Sequence, residues 1–218
     1  MERTHLDAAL ASIRQDLLEM GTRVEENLTS ALGALKTGDQ ELAKRAKKGD
    51  EAVNALLVKI EDEAARLIAT QQPVAGDLRM LLTLFKVTNN LERVGDHAKH
   101  LAKTAKKLSE DPWGRPLDRL ERMAERGIAM TRASLDAFLA RDAAKAREAA
   151  SMDDLIDVEH KAFSRETLDY LRERPDRVEQ GMRLLATSGY LERLGDHLTN
   201  VCEAVVFMTE GTHVELNY

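Results

Sequence analysis

Apolar residues recur along this chain at helical spacing. Val53, Leu56, Leu57, Ile60, Ala64 and Leu67 share one face of a 3.6-residue period, and Leu91, Val94, Ala98 and Leu101 share another. Turn residues divide the pattern. Gly38 suits the left-handed position after a helix, and Asp39 follows it as an N-cap. Pro73 and Pro175 each separate two long periodic stretches, and Ser109–Pro116 places two prolines and a glycine within eight positions. The spacing therefore predicts six helices, near 3–36, 39–72, 75–109, 115–139, 142–174 and 176–210. Turns this short make sequential helices antiparallel neighbours.

The six helices are two copies of three. LERVGDH at 91–97 returns as LERLGDH at 191–197, an offset of 100. Met20 and Met123, Asp39 and Asp142, and Asp50 and Asp153 are each separated by 103, and a small deletion near the second proline turn reconciles the offsets. A repeat of this kind is one structural unit written twice. The expected fold is all-α: two tandem three-helix bundles related by a pseudo-twofold, covering residues 1–110 and 113–218.

Composition agrees with this picture and narrows the function. Charged residues make up 32 % of the chain and aromatics 4 %, with 12 Gly and 4 Pro, a helix-forming profile, and 43 % hydrophobic residues suffice for a core. The net charge of −6 gives no general reason to hold nucleic acid. The basic stripe Lys44, Arg45, Lys47 and Lys48 reads as a solvated helix face. Cys202, the lone cysteine, lies among Val201, Val205 and Val206 and reads as a buried thiol in a reducing compartment. The opening residues have no secretory h-region, and no stretch approaches a membrane span, so a cytoplasmic protein without membrane insertion is expected. There is no phosphate-binding P-loop and no Ser-His-Asp arrangement.

Three acidic pairs and one Asp-Asn pair stand out. Glu92 and Asp96 are i, i+4 neighbours, as are Glu192 and Asp196, and the preceding helices carry Asp50 with Asn54 and Asp153 with Asp157. Positions 50 and 96, and 54 and 92, centre on Pro73; the second set centres beside Pro175. Each hairpin thus brings four oxygen-bearing side chains to one height, about 28 Å from its turn. Like charges at this spacing repel unless a cation lies between them, and carboxylates favour Mg, Ca, Mn or Fe over zinc. The wheel puts Glu92 and Asp96 on the flank of the apolar stripe, so the sites are expected near the surface. A solvated flank is the plain alternative for any single pair. His97 and His197 point about 100° away from the adjacent aspartates and read as packing residues; His100, one turn after Asp96, is a weaker candidate ligand.

QQPVAGDLRM at 71–80, LERVGDHA at 91–98, LERLGDHLTNVCE at 191–203, DEAVN at 50–54 and MGTRVEENLTSAL at 20–32 together resemble the PhoU family. The resemblance spans the full length. It implies a regulator, not an enzyme: a negative regulator of the phosphate-starvation response that couples the phosphate-specific ABC transporter, through its ATPase subunit, to a sensor histidine kinase. It implies metal at Asp50, Asn54, Glu92 and Asp96 and at Asp153, Asp157, Glu192 and Asp196, as multinuclear iron or other divalent ions (Fe, Mn or Mg). A homodimer, peripheral to the inner membrane through its partners, is expected. Asn54 leaves the first set one charge poorer. The second turn, RERPDRVEQGMRL, lacks the DLR of the first, so a partner surface built on Asp77 and Arg79 would not be duplicated. A metal-free helical scaffold is the bland alternative. A carboxylate-bridged di-iron enzyme needs Glu-x-x-His pairs inside the bundle, and only Glu2 with His5 and Glu210 with His213 match, at the chain ends.

Overall fold

A computed structural model describes residues 2–217, with side chains from Leu6 onward. Among the described residues every regular element is helical: α1 (Glu2–Thr37), α2 (Gln40–Gln71), α3 (Ala75–Glu110), α4 (Asp118–Ala140), α5 (Ala143–Ala150), α6 (Asp153–Glu173) and α7 (Val178–Glu210), with a 3-10 turn at Pro175–Arg177. The side chains of Glu2 and His5 lie outside the described residues.

The turns form where the residue chemistry places them. Gly38 takes φ 72°, and Asp39 accepts from the backbone N–H groups of Glu41 and Leu42 at 2.7 and 3.3 Å. The second copy repeats this one unit on: Arg141 adopts φ 52°, and Asp142 accepts from Ala144 and Lys145 at 2.9 and 3.1 Å. Asp39 and Asp142 each satisfy two helix-terminal donors that would otherwise go unpaired.

The fifth predicted helix is not continuous. It breaks at Ser151 and Met152, where Met152 N–H bonds the Ala149 carbonyl and Leu155 N–H the Met152 carbonyl, in place of the regular ladder. The Ser151 hydroxyl donates to the Glu148 carbonyl at 2.7 Å and competes for the acceptors a continuous helix would use. The first copy has Lys48 and Gly49 at these positions, and α2 runs through unbroken. A further boundary moves as well: α4 begins at Asp118 because residues 111–117 are a packed connection, with Trp113 buried edge-on against Tyr170 at 4.7 Å.

Within each copy the apolar stripes close on one another. Ile13, Leu17, Met20, Leu28, Ile60, Leu67, Leu84 and Leu91 are fully enclosed, as are Met123, Ile156, Leu184, Leu194 and Cys202. Burying a Leu or Ile side chain contributes about 1.5–3 kcal/mol, so this core is the main source of stability. Burial also pushes the Cys202 thiol up to about 12, which leaves it protonated and unreactive.

The two copies join through α3 and α7, which run antiparallel, and through α1 and α4, where Lys36 pairs with Glu125. Thr104 meets Thr187 at 2.7 Å, and Lys86 lies over the Phe207 ring at 5.8 Å. Between these points the repeated histidines stack on each other, His97 on His197 at 5.5 Å, so the pseudo-twofold passes between equivalent residues. Each histidine also meets the other copy's position 90 or 190: His97 stacks with Tyr190 at 5.6 Å, and His197 Nδ1 donates to Asn90 Oδ1 at 2.9 Å. The histidines are packing residues, and His100 likewise lies against Tyr190 at 4.2 Å.

Both ring nitrogens of His97 are buried without a partner. Burial, then the positive potential of His197 and His100, holds His97 down to about 4. The folded state therefore resists a proton that the unfolded chain accepts near 6.5, and stability is lost as pH falls from about 6.5 to about 4. His97→Phe keeps the stack and removes the titration. Its melting temperature relative to wild type should rise between pH 8 and pH 5; a pH-independent difference would refute this.

Candidate metal-binding carboxylate clusters

α2 and α3 carry the first acidic set, and α6 and α7 the second. The expectation of sites near the surface fails at Asp50 and Asp153, which are 4 % and 8 % exposed. Glu92, Asp96, Asp157, Glu192 and Asp196 are half-buried, and Asn54 is exposed. The correction has a local cause. Each buried aspartate points across its hairpin at the glycine of the facing ERxGD segment, where no Cβ stands in the way. Asp50 Oδ1 lies 3.9 Å from the place a Cβ on Gly95 would take, and at Gly195 a Cβ would overlap Asp153 Oδ1 outright. The glycine of the repeated motif makes room for the acid of the opposite helix.

The first set contains its own cation. Lys99 Nζ donates to Asp50 Oδ2 at 2.6 Å and to Asp96 Oδ1 at 3.3 Å, bridging the two helices. Glu92 joins them closely enough for its carboxyl to be raised, first by burial and then by Asp96 and Asp50. The structure thus assembles Asp50, Glu92 and Asp96 around Lys99. Asn54 makes no polar contact with them.

Position 199, the repeat equivalent of Lys99, is a threonine, and the second set is correspondingly more negative. Thr199 Oγ1 donates to Asp153 Oδ2 at 3.4 Å. Burial, then the charges of Asp196 and Asp157, pushes Asp153 up to about 7, and Glu192 is raised by burial and by Asp196. These mutual effects bring all four acids into one electrostatic unit. Two contacts offset part of the charge: Lys161 Nζ to Asp157 at 2.9 Å, and Asn217 Nδ2 to Asp196 at 2.9 Å. The Lys99 and Thr199 exchange was visible in the aligned repeats; the approach of Asn217 carried no sequence signal.

The donor chemistry fits a hard cation in one further respect. Asp50 Oδ1 and Asp153 Oδ1 are both buried with no hydrogen-bond partner, which is costly for a carboxylate unless another positive group engages it. Among the described residues, no three His, Cys, Asp or Glu side chains are already arranged to grip one ion together. Glu210 and His213, the candidate di-iron pair within the described residues, are engaged elsewhere: Glu210 with Arg147 at 2.8 Å and His213 stacked on Phe207 at 4.4 Å.

The repeat has a counterpart among known families. The PhoU domain model matches residues 17–105 and again 120–205, one match per copy. The chain belongs to the PhoU family. The phosphate-specific transport system accessory protein PhoU homolog of Clostridium acetobutylicum is 35 % identical over 218 residues, all of both chains. The accessory protein PhoU of Escherichia coli is 33 % identical over 205 residues, 94 % of this chain and 85 % of that one. The crystal structure of PhoU from Pseudomonas aeruginosa superposes with a TM-score of 0.91 at 33 % identity, covering 94 % of this chain and 99 % of that one. The PhoU fold accordingly holds over 94 % of the chain.

Proposed function

We propose that this chain is a phosphate-transport accessory regulator that keeps the phosphate-starvation response off when phosphate is ample. The observation that carries this reading is the end-to-end similarity to a phosphate-specific transport accessory protein, 35 % over all of both chains. On this reading the protein works by contact and not by catalysis, linking the phosphate-specific ABC transporter, at its ATPase subunit, to a sensor histidine kinase. No described helix is long and apolar enough to cross a membrane, which is consistent with reaching a transporter through its partners. A homodimer in the cytoplasm completes the proposal.

The same reading assigns the acidic sets to divalent or iron cations. Asp153, Asp157, Glu192 and Asp196 would hold such an ion; Asp50, Glu92 and Asp96 would do so only by displacing Lys99. The ion would supply charge neutralisation and a cross-link between the two helices of a hairpin, not reaction chemistry.

Deleting the gene should derepress phosphate-starvation promoters in phosphate-rich medium, with full repression restored by the wild-type chain. Reporter output that stays low after deletion would sink the regulatory reading while leaving the fold intact.

A further inference from the structure

The pseudo-twofold creates two equivalent grooves where α3 crosses α7, and the chain treats them differently. One is filled by residues 211–217. His213 stacks on Phe207 at 4.4 Å, Leu216 N–H donates to Glu203 at 2.8 Å, and Asn217 reaches Asp196 at 2.9 Å. Val214 and Leu216 pack on the core. From Phe207 to Asp196 α7 rises about 16 Å, and the four steps from His213 to Asn217 reach about 14 Å only when the backbone is extended. This groove is therefore a seat for an extended peptide, occupied from within.

The opposite groove is open. It is a cleft of about 560 Å³ with Tyr190, Ala102 and the Thr104–Thr187 pair in its lining. Its rim is basic in a chain whose net charge is −6. Lys47, Lys103 and Lys106 line it and are exposed, with no carboxylate within 4 Å among the described residues. Lys44, Lys107 and Arg183 add charge at its edge, although each is paired with an acid of its own helix. The repeat equivalents of the three unpaired lysines are Ala150, Glu203 and Val206, so the filled groove lacks these three charges, and Lys86 there lies over the Phe207 ring.

We infer that the open groove binds an extended acidic segment of a partner protein, seated as residues 211–217 are seated in its twin. Shape comes from the duplicated fold, and charge complementarity comes from the three free lysines. Alternating apolar and acidic side chains suit the lining, because successive residues of an extended chain face opposite ways. The inference goes beyond the regulatory reading and does not depend on metal in the acidic sets.

The test uses the full chain and a fluorescein-labelled peptide that alternates glutamate with valine and leucine, followed by anisotropy. Saturable binding that weakens with salt is expected. The charge reversal K47E/K103E/K106E should weaken it by at least about tenfold, while Arg165→Glu, on α6 outside the cleft, leaves it unchanged. Peptide-induced shifts should appear at the Thr104, Thr187 and Tyr190 amides. Helical content and melting of the triple variant are measured alongside; if it is unfolded, Lys103→Glu alone with the amide mapping decides. Equal binding by the charge-reversed chain, shifts confined to another face, or binding of tripolyphosphate or anionic vesicles in place of the peptide would each overturn the inference.

Discussion

Gly195→Ala is expected to lower stability substantially, whereas Gly95→Ala, the same change at the mirror position, is expected to be neutral or mildly stabilising. The two glycines occupy equivalent places in the repeated motif but meet different surroundings. At Gly195 the added methyl would overlap Asp153 Oδ1 and sit 3.0 Å from its Cγ and 3.3 Å from Ile156 Cδ1. Asp153 is buried at the first residue of α6 and has a short side chain, so relief requires moving the helix start. Overpacking of this kind costs about 1–3 kcal/mol. At Gly95 the nearest atoms are Val53 Cγ1 at 3.6 Å and Asp50 Oδ1 at 3.9 Å, ordinary contact distances. There the helix-propensity gain of about 0.5–1 kcal/mol is retained. At roughly 2–4 °C per kcal/mol for a chain of this size, the two variants should melt several degrees apart. Equal melting temperatures would show that the acids do not depend on the glycines for their seats.

The sequence carried the topology because each element of it is local or repeated. Helical spacing, the Asp39 and Asp142 caps and the two prolines are read within a turn or two, and the duplication confirms each reading by a second copy. Counting from Pro73 and Pro175 also gave the shared height of the acids, since rise along a helix is uniform. Azimuth is different. Whether Asp50 faces inward depends on how α2 rolls against α3, and that is set by the space at Gly95, a contact between residues 45 positions apart. The break before Asp153 depends on one serine hydroxyl competing with the ladder. The seating of residues 211–217 on α7 rests on two hydrogen bonds, a ring stack and two partly buried apolar side chains, none periodic enough to be seen in advance.

The largest functional contrast expected between the copies follows from position 99 against position 199. If the second acidic set holds a divalent cation, manganese or iron(II) should raise the melting temperature of the wild-type chain. Ligand at a hundredfold excess over its Kd stabilises the folded state by about 2.7 kcal/mol, or roughly 5–11 °C at the sensitivity above. Glu192→Ala with Asp196→Ala should abolish that shift, and Thr199→Lys should suppress it by installing the cation that the first set already has. The reciprocal change, Lys99→Thr, should confer a shift on the first set. It frees Asp50 and Asp96, whose oxygens Lys99 holds at 2.6 and 3.3 Å, although Asn54 still leaves that set one carboxylate short. The metal-free state supplies an independent measure of the same repulsion. Asp153 stands near 7 in the folded chain, above its ordinary value of 3.8. The folded state thus keeps a proton that the unfolded chain has released, and stability falls as pH rises from about 4 to about 7. Asp153→Asn removes that penalty, so in the presence of chelator its melting temperature relative to wild type should climb between pH 5 and pH 8. Added manganese should stabilise wild type at pH 8 and leave Asp153→Asn nearly unmoved. If no ion shifts the wild-type melt, or if Thr199→Lys leaves the shift intact, the acids are a repulsive polar cluster and the metal assignment fails.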